Sequence, residues 1–266
     1  MASTANPYVS VVLPTYNQAG YLPAALDSIF NQTWQDFELI VVNDGSTDNT
    51  ADVLAEYQQR YDFKIIHKQN GKLPRALNTG FEQVRGKYLT WTSSDNIMLP
   101  AMLETLVKAL DEHPDVGFVY ADWEVIDEDD ELVGTVRTLE HDFHLLMRVN
   151  YVNACFMYRR ACQEKVGLYD PDYILAEDWE YWWRIARSFK LMRVPRILYQ
   201  YRVHSTSLTS LEVLTEKQGR STGYQKLLTD FHSNPLDWYL SRLKYEWLKL
   251  RIGQDPQLYL QPHLKG

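Results

Sequence analysis

Short β-branched runs and stretches of helically spaced apolar residues take turns along the first half of the chain. Val9 to Leu13 predicts a buried strand, and Pro14 ends it because proline cannot donate to a central ladder; a loop at Thr15-Tyr16-Asn17 follows. Leu22, Ala25, Leu26 and Ile29 share one face of a predicted helix over Leu22 to Phe30. Phe37 to Val42 reads as a second strand, stopped by the turn residues Asn43-Asp44-Gly45-Ser46. Asp48 can cap the next helix, in which Val53, Leu54 and Tyr57 share a face. A strand over Phe63 to His67, a helix over Pro74 to Val84 and a strand over Tyr88 to Thr92 continue the rhythm, closed by Ser93-Ser94-Asp95-Asn96. Parallel neighbours need crossover helices, so the alternation predicts an α/β fold with a mostly parallel central sheet flanked by helices. Ligands of such sheets collect at the carboxyl ends of the strands, where the three polar clusters fall.

From Pro100 a helix is predicted with Leu103, Leu106, Val107 and Leu110 on one face, and after it the rhythm changes. Val116 to Ala121 and Trp123 to Ile126 read as strands around Asp122, and Asp127 to Glu131 as a solvated hairpin turn. Val152 to Tyr158 is a further strand and Tyr181 to Phe189 a helix, while Arg193 to Val203 reads as one or two irregular strands interrupted by Pro195. In the tail, Tyr224, Leu227 and Leu228, then Leu240, Leu243, Tyr245, Trp247, Leu248 and Leu250, suggest two helices. The expected division is a flexible N-terminus over 1–7, a main domain over 8–210 and a helical C-terminal extension over 211–266.

Composition narrows the function classes. The 266 residues, 45% hydrophobic and 23% charged, suffice for a substantial core. A formal net charge of -8 argues against broad attraction to a nucleic-acid backbone, so no nucleic-acid partner is expected. Cys155 and Cys162 match no metal-binding spacing and read as reduced, partly buried thiols, a disulfide staying open on spacing alone. No run approaches the roughly 18 apolar residues of a membrane span, and Met1 to Asn6 has no basic region, so the expected location is cytoplasmic. Trp238 to Arg251 mixes leucines and aromatics with Arg242, Lys244, Lys249 and Arg251; it suits core packing, self-association or peripheral contact with the inner face of an anionic membrane.

Four constellations carry candidate chemistry. Asp44 at a strand end is either a turn residue or an acceptor for a nucleobase imide, which uracil and thymine offer. Asp95 is either a helix cap or a ligand for Mg or Mn, whose preference for hard oxygen suits carboxylate and diphosphate together. Trp179, Trp182, Trp183 and Ala186 recur at helical spacing and would anchor a helix whose first turn carries Glu177 and Asp178. Those acids either cap that helix or, held rigidly, let Asp178 take a proton from a hydroxyl. His204 is a loop or core histidine, or a donor or metal ligand near phosphates, and Arg202 beside it can neutralise charge or brace an acid.

Together these segments resemble the inverting family 2 glycosyltransferases with the GT-A fold. The resemblance rests on Val11-Val12-Leu13-Pro14-Thr15-Tyr16-Asn17, Val41-Val42-Asn43-Asp44-Gly45-Ser46-Thr47-Asp48, Asn70-Gly71 through Ala76-Leu77-Asn78-Thr79-Gly80, Ser94-Asp95-Asn96, Glu177-Asp178-Trp179 and Tyr201-Arg202-Val203-His204-Ser205, in that order. It implies that Pro14, Thr15, Tyr16, Asn17 and Asp44 embrace the nucleoside of a nucleotide-sugar donor, with Lys72, Ser94 and Asp95 further along the donor. It implies Asp178 as general base, Arg202 and His204 near the diphosphate, a metal on Asp95 and His204, and Asp122, Glu177 and Trp179 beside the donor or acceptor sugar. Two departures stand out. The family's Asp-x-Asp-Asp run is reduced to Ser93-Ser94-Asp95-Asn96, and Leu77 replaces an arginine often found just before the asparagine, with Arg75 nearby.

The implied activity is inverting transfer of a sugar from a UDP- or dTDP-sugar to a hydroxyl of a glycan or lipid-linked glycan, with Mn or Mg as cofactor. Polysaccharide assembly is the implied process. Two rivals have distinct signatures: a catalytically decayed nucleotide-sugar-binding protein, suggested by Ser93 and Asn96, and a sugar-phosphate nucleotidyltransferase, against which the absence of an early glycine- and basic-rich loop speaks.

Overall fold

The computed structural model describes residues 6–207 together with residues 226, 227, 230 and 231. The strands β1 (Val9–Thr15), β2 (Phe37–Asn43), β3 (Lys64–His67) and β4 (Tyr88–Trp91) lie parallel in the order β3-β2-β1-β4. Every residue of β1 is buried, as expected of a strand covered on both faces. Its alternation divides the core: Val9, Val11 and Leu13 join one apolar cluster, and Val12 joins a second on the opposite face.

The crossovers are α1 (Leu22–Phe30), α2 (Thr50–Gln58) and α3 (Leu73–Phe81). The first cluster includes Leu22, Leu26, Ile29, Leu54 and Tyr57, so α1 and α2 cover one face, and Leu77 and Phe81 of α3 cover the other. Contact between α3 and the sheet is close. A Cβ on Gly80 would lie 2.4 Å from Val12 Cγ1, so only glycine permits this approach. Asp48, expected as the cap of this helix, sits one residue before the N-cap Asn49, where it accepts from Thr50 N at 3.1 Å and Thr50 Oγ1 at 2.6 Å. Although burial pushes its pKa up, these bonds and one from Ala19 N outweigh that and lower it.

The second half extends the sheet with β5 (Ile97–Met98), β6 (Val116–Ile126), β7 (Leu132–Val136), β8 (Phe156–Arg159) and β9 (Lys190–Arg202). Beyond β4 the order is β8-β6-β9-β5, with β8 antiparallel to both β4 and β6, β9 parallel to β6, and β7 paired to β6 as a hairpin. Helices α4 (Met102–Glu112), α5 (Phe143–Leu146), α6 (Arg160–Val166) and α7 (Glu177–Ala186) complete the order.

Three local expectations change. The segment around Asp122 is one continuous strand, β6, with register shifts on both sides of that residue. The Pro195 segment is likewise one strand: Ala121 pairs Val194 and Asp122 pairs Ile197, so Pro195 and Arg196 bulge out and the missing amide removes no ladder bond. Helix α7 starts at Glu177, not Tyr181, because its acidic first turn is helical rather than flanking. Cys155 and Cys162 are free and buried, and burial pushes the Cys162 thiol up to about 12. No helix among the described residues is long and apolar enough to cross a membrane. Trp238 to Arg251 lies outside the described residues.

Candidate active site

The carboxyl ends of β1, β2 and β3 build a closed cradle. Asp44 N donates to Thr15 O at 2.9 Å and Lys68 N to Asn43 O at 3.1 Å, so the ladder runs on into the loops. Asp44 is 3% exposed; Oδ1 accepts from Lys68 Nζ at 2.7 Å and Gly71 N at 2.9 Å, while Oδ2 takes only the longer arm from Gly71 N at 3.1 Å. The loop after β3 folds tightly over the loop after β2: a Cβ on Gly45 would lie 2.7 Å from Asn70 N, and Gly45 has φ +78°. Asn17, at φ +53°, ties the loop after β1 to this cradle, donating from N to Ser46 Oγ at 3.0 Å and accepting Thr47 N on Oδ1 at 2.7 Å. Thr15 Oγ1 is buried without a protein partner, and Tyr16 is exposed. Pro14 is buried within β1. Lys72 is exposed at φ +71° before α3. Lys68, missed in the sequence reading, is the cation that meets Asp44; a basic residue directly after the third parallel strand was its only signal.

A second group forms beyond β4. Asp95 Oδ2 lies 3.0 Å from His204 Nε2, whose other ring nitrogen lies 2.9 Å from Thr206 Oγ1. The His204 ring rests on Tyr21, 4.6 Å between centroids, which joins the loop after β1 to the end of β9. Asp95 Oδ1 is buried with no protein partner, a hard oxygen left open. Among the described residues no group of three or more His, Cys, Asp or Glu is arranged to hold a metal. The residues therefore fit a divalent ion that takes one carboxylate from the protein and its other ligands from phosphate and water. Arg202 is turned elsewhere: its guanidinium donates to the carbonyls of Asp95 at 2.8 Å and Asp127 at 3.0 Å and to Asp130 Oδ1 at 2.5 Å, and it stacks over Tyr21. Its observed role is to brace the Asp95 loop. Asn96, at the position where an acid was expected, is buried and accepts Arg202 N at 2.8 Å. Ser94 beside it is buried too.

The first turn of α7 completes the site. Asp178 Oδ2 accepts from Asn150 Nδ2 at 3.0 Å and Oδ1 accepts from Trp179 N at 2.6 Å. Burial raises its carboxyl pKa above the ordinary 3.8, against the opposing pull of these two donors. Its place at the sheet edge follows from connectivity. Thr90 Oγ1 donates to Phe156 O at 2.7 Å, so the turn that carries Asn150 into β8 lies past the carboxyl end of β4. Trp91 Nε1 also donates to Tyr169 OH at 2.9 Å, and Tyr169 interacts electrostatically with Asp178. Asp44, Asp95 and Asp178 thus share one edge of the sheet. Strain collects there: Asn17, Lys72, Asn153 and Leu175 all have positive φ, and Leu175 stands two residues before α7 at φ +70°.

Two sequence candidates resolve into structure. Asp122, expected beside a sugar, is 5% exposed; its carboxylate accepts from Thr138 N, Thr138 Oγ1 and the Arg193 guanidinium at 2.7 to 3.1 Å. It clamps β6, β9 and the segment after β7, and its oxygens are turned into that network. Trp179 is 7% exposed, donates its indole N–H to Leu146 O at 2.5 Å and packs against Phe231, so it anchors α7. Glu177 is buried in the first turn.

The family model for glycosyl transferase family 2 matches residues 10–215. An uncharacterized glycosyltransferase of Rickettsia prowazekii is 30% identical over 236 residues, 84% of this chain and 73% of that protein. Another, of Haemophilus influenzae, is 30% identical over 220 residues, 77% and 68% of the two chains. Among solved structures, S. aureus TarS 1–349 in complex with UDP-GlcNAc gives a TM-score of 0.63 at 19% identity, covering 94% of this chain and 78% of that one. The mannosyltransferase PcManGT from Pyrobaculum calidifontis, in complex with GDP-Man and Mn2+, gives 0.58 at 22% identity, covering 79% and 61%. These likenesses bear out the expected GT-A-type fold, an α/β unit with a curled, mostly parallel sheet. The chain belongs to glycosyl transferase family 2.

Proposed function

We propose that the protein transfers a sugar from a UDP- or dTDP-sugar to a hydroxyl of a glycan or lipid-linked glycan, inverting the anomeric carbon. The observation that supports this reading is the buried Asp44 carboxylate held after β2 by Lys68 and Gly71, with the Asp178 carboxylate held in the first turn of α7 by Asn150 and Trp179 N. A pyrimidine donor is supported by the cradle's asymmetry. Guanine offers adjacent N–H donors best met by both carboxylate oxygens, but Oδ1 of Asp44 is already occupied by Lys68 and Gly71, leaving Oδ2 for one imide N–H. Thr15 Oγ1 is an unpartnered group available to the nucleoside.

In the displacement, Asp178 takes the acceptor O–H proton while that oxygen forms its bond to the anomeric carbon. The bond from that carbon to the phosphate oxygen breaks with its electron pair, and the nucleoside diphosphate leaves. Burial raises the Asp178 pKa toward the operating pH, where a general base works best. When bound, Mn or Mg would neutralise charge on the leaving diphosphate; Asp95 would hold that ion, with His204 orienting its carboxylate. Arg202 braces the loop that presents Asp95.

The test is Asp178→Asn, which keeps the shape and removes the base. UDP-sugar binding by calorimetry is expected to stay within twofold, while transfer falls by about 100- to 10,000-fold. Undiminished turnover in the purified variant would remove Asp178 from the mechanism.

A further inference from the structure

Nothing in the composition or spacing singles out Asn150, yet among the described residues its side chain supplies the one side-chain hydrogen bond on Asp178. Asn150 Nδ2 donates to Asp178 Oδ2 at 3.0 Å, and the amide cannot turn freely because its Oδ1 accepts Asn153 N at 3.3 Å. That second bond fixes which end of the amide faces the carboxylate. Asn153 is held at φ +52°, a conformation asparagine tolerates, so the turn before β8 is shaped to present its amide to Asn150. Trp179 N occupies Oδ1 at 2.6 Å, so the two oxygens have different partners on two different elements.

We infer that Asn150 is a positioning residue: it aims the Asp178 carboxylate at the acceptor hydroxyl and stabilises its charged form. The inference rests on the proposed role of Asp178 as the base. A general base in a partly buried site needs a fixed lone-pair direction and enough ionised form at working pH, and one donor of the strength of an amide N–H serves both. Other titratable groups stand on the elements packed against α7. They are Asp142, His144 and Arg148 on α5 and its flanks, and Arg160, Cys162, Glu164 and Lys165 on α6. On α7 itself, Glu177 neighbours Asp178 and Glu180 pairs with Arg184 at 2.6 Å, while Tyr169 interacts with Asp178 through space.

Asn150→Ala leaves these titratable groups in place and withdraws the donor to Asp178 together with the acceptor for Asn153 N; only the first of the two touches Asp178, so the Asp178 pH window reads the loss of the donor. Melting temperature is followed from pH 4 to 9 for the wild type and Asp178→Asn, and again for both in an Asn150→Ala background. The difference within each pair reads the protonation of Asp178 and needs no substrate. In the Asn150→Ala background the pH window of that difference is expected to move up by about one unit. Asn150→Asp, nearly isosteric and carrying a second carboxyl, is expected to move it further. Initial rates with UDP-GlcNAc as the probe donor are expected to show kcat lowered about tenfold at neutral pH, partly recovered above it, with the donor KM unchanged. An identical window in both backgrounds would overturn the inference. The reading of Asp178 fails separately, if Asp178→Asn itself turns over the donor at the wild-type rate.

Discussion

Asp178 lies where stability and chemistry oppose each other. Its folded-state pKa is raised by burial, so between the ordinary 3.8 and the folded value the native chain binds more protons than the unfolded one. Stability therefore falls as pH rises through that window, and above it the full penalty of a desolvated carboxylate is present. Asp178→Asn is expected to melt higher than the wild type at pH 7, with the gap closing as pH drops toward 4; an unchanged or lower melting temperature at pH 7 would contradict the burial argument. The setting of Asp178 was legible in the sequence, because three tryptophans at helical spacing imply a rigid anchor below an acidic first turn. Its partner Asn150 was not. A lone asparagine in the loop between α5 and β8 has no periodicity, and only the antiparallel return of β8 beside β4 brings it to the carboxylate. Lys68 escaped for a similar reason, since its pairing with Asp44 spans two parallel strands.

Among the elements, β6 and β9 form the spine of the second half, which β8 joins to β4 of the first. Their parallel pairing runs from Val116 to Ile126, and its irregular centre holds the buried Asp122–Arg193 pair at 2.7 Å. The strands were readable as strands; their continuity was not, because Asp122 and Pro195 look like breaks. In the sheet the two apparent breaks coincide, and the bulge that absorbs Pro195 stands beside the site where Asp122 needs a partner. Asp122→Ala would leave the Arg193 guanidinium, with only 16% of its side chain exposed, without its main partner. The cost is about 3–5 kcal/mol, seen as a melting temperature lowered by about 10 °C in a chain of this size. Donor KM measured on the folded fraction is expected to be unaltered. A variant that melts as the wild type yet binds donor tenfold more weakly would restore Asp122 to the sugar site.

The proposed function has the three carboxylates act on one bound molecule, and ligand linkage across the whole chain is where that unity can be tested. A ligand held by the native state alone at 100 times its Kd adds about 2.7 kcal/mol, or about 5–10 °C here. UDP-sugars with Mn or Mg are therefore expected to raise the melting temperature by that much, and GDP-sugars by far less, given the occupied Oδ1 of Asp44. The variants separate the contributions. Asp44→Ala is expected to abolish the preference for uridine over guanosine nucleotides while leaving a metal-dependent increment. Asp95→Ala is expected to remove that increment, because Oδ1 has no partner among the described residues and is the oxygen left for an ion, while Oδ2 faces His204. If chelator leaves the UDP-sugar shift intact in the wild type, His204 and the Asp95 loop serve the fold rather than a metal, and the single charged residue left in Ser93-Ser94-Asp95-Asn96 is then the sequence's own sign of a metal-independent family member.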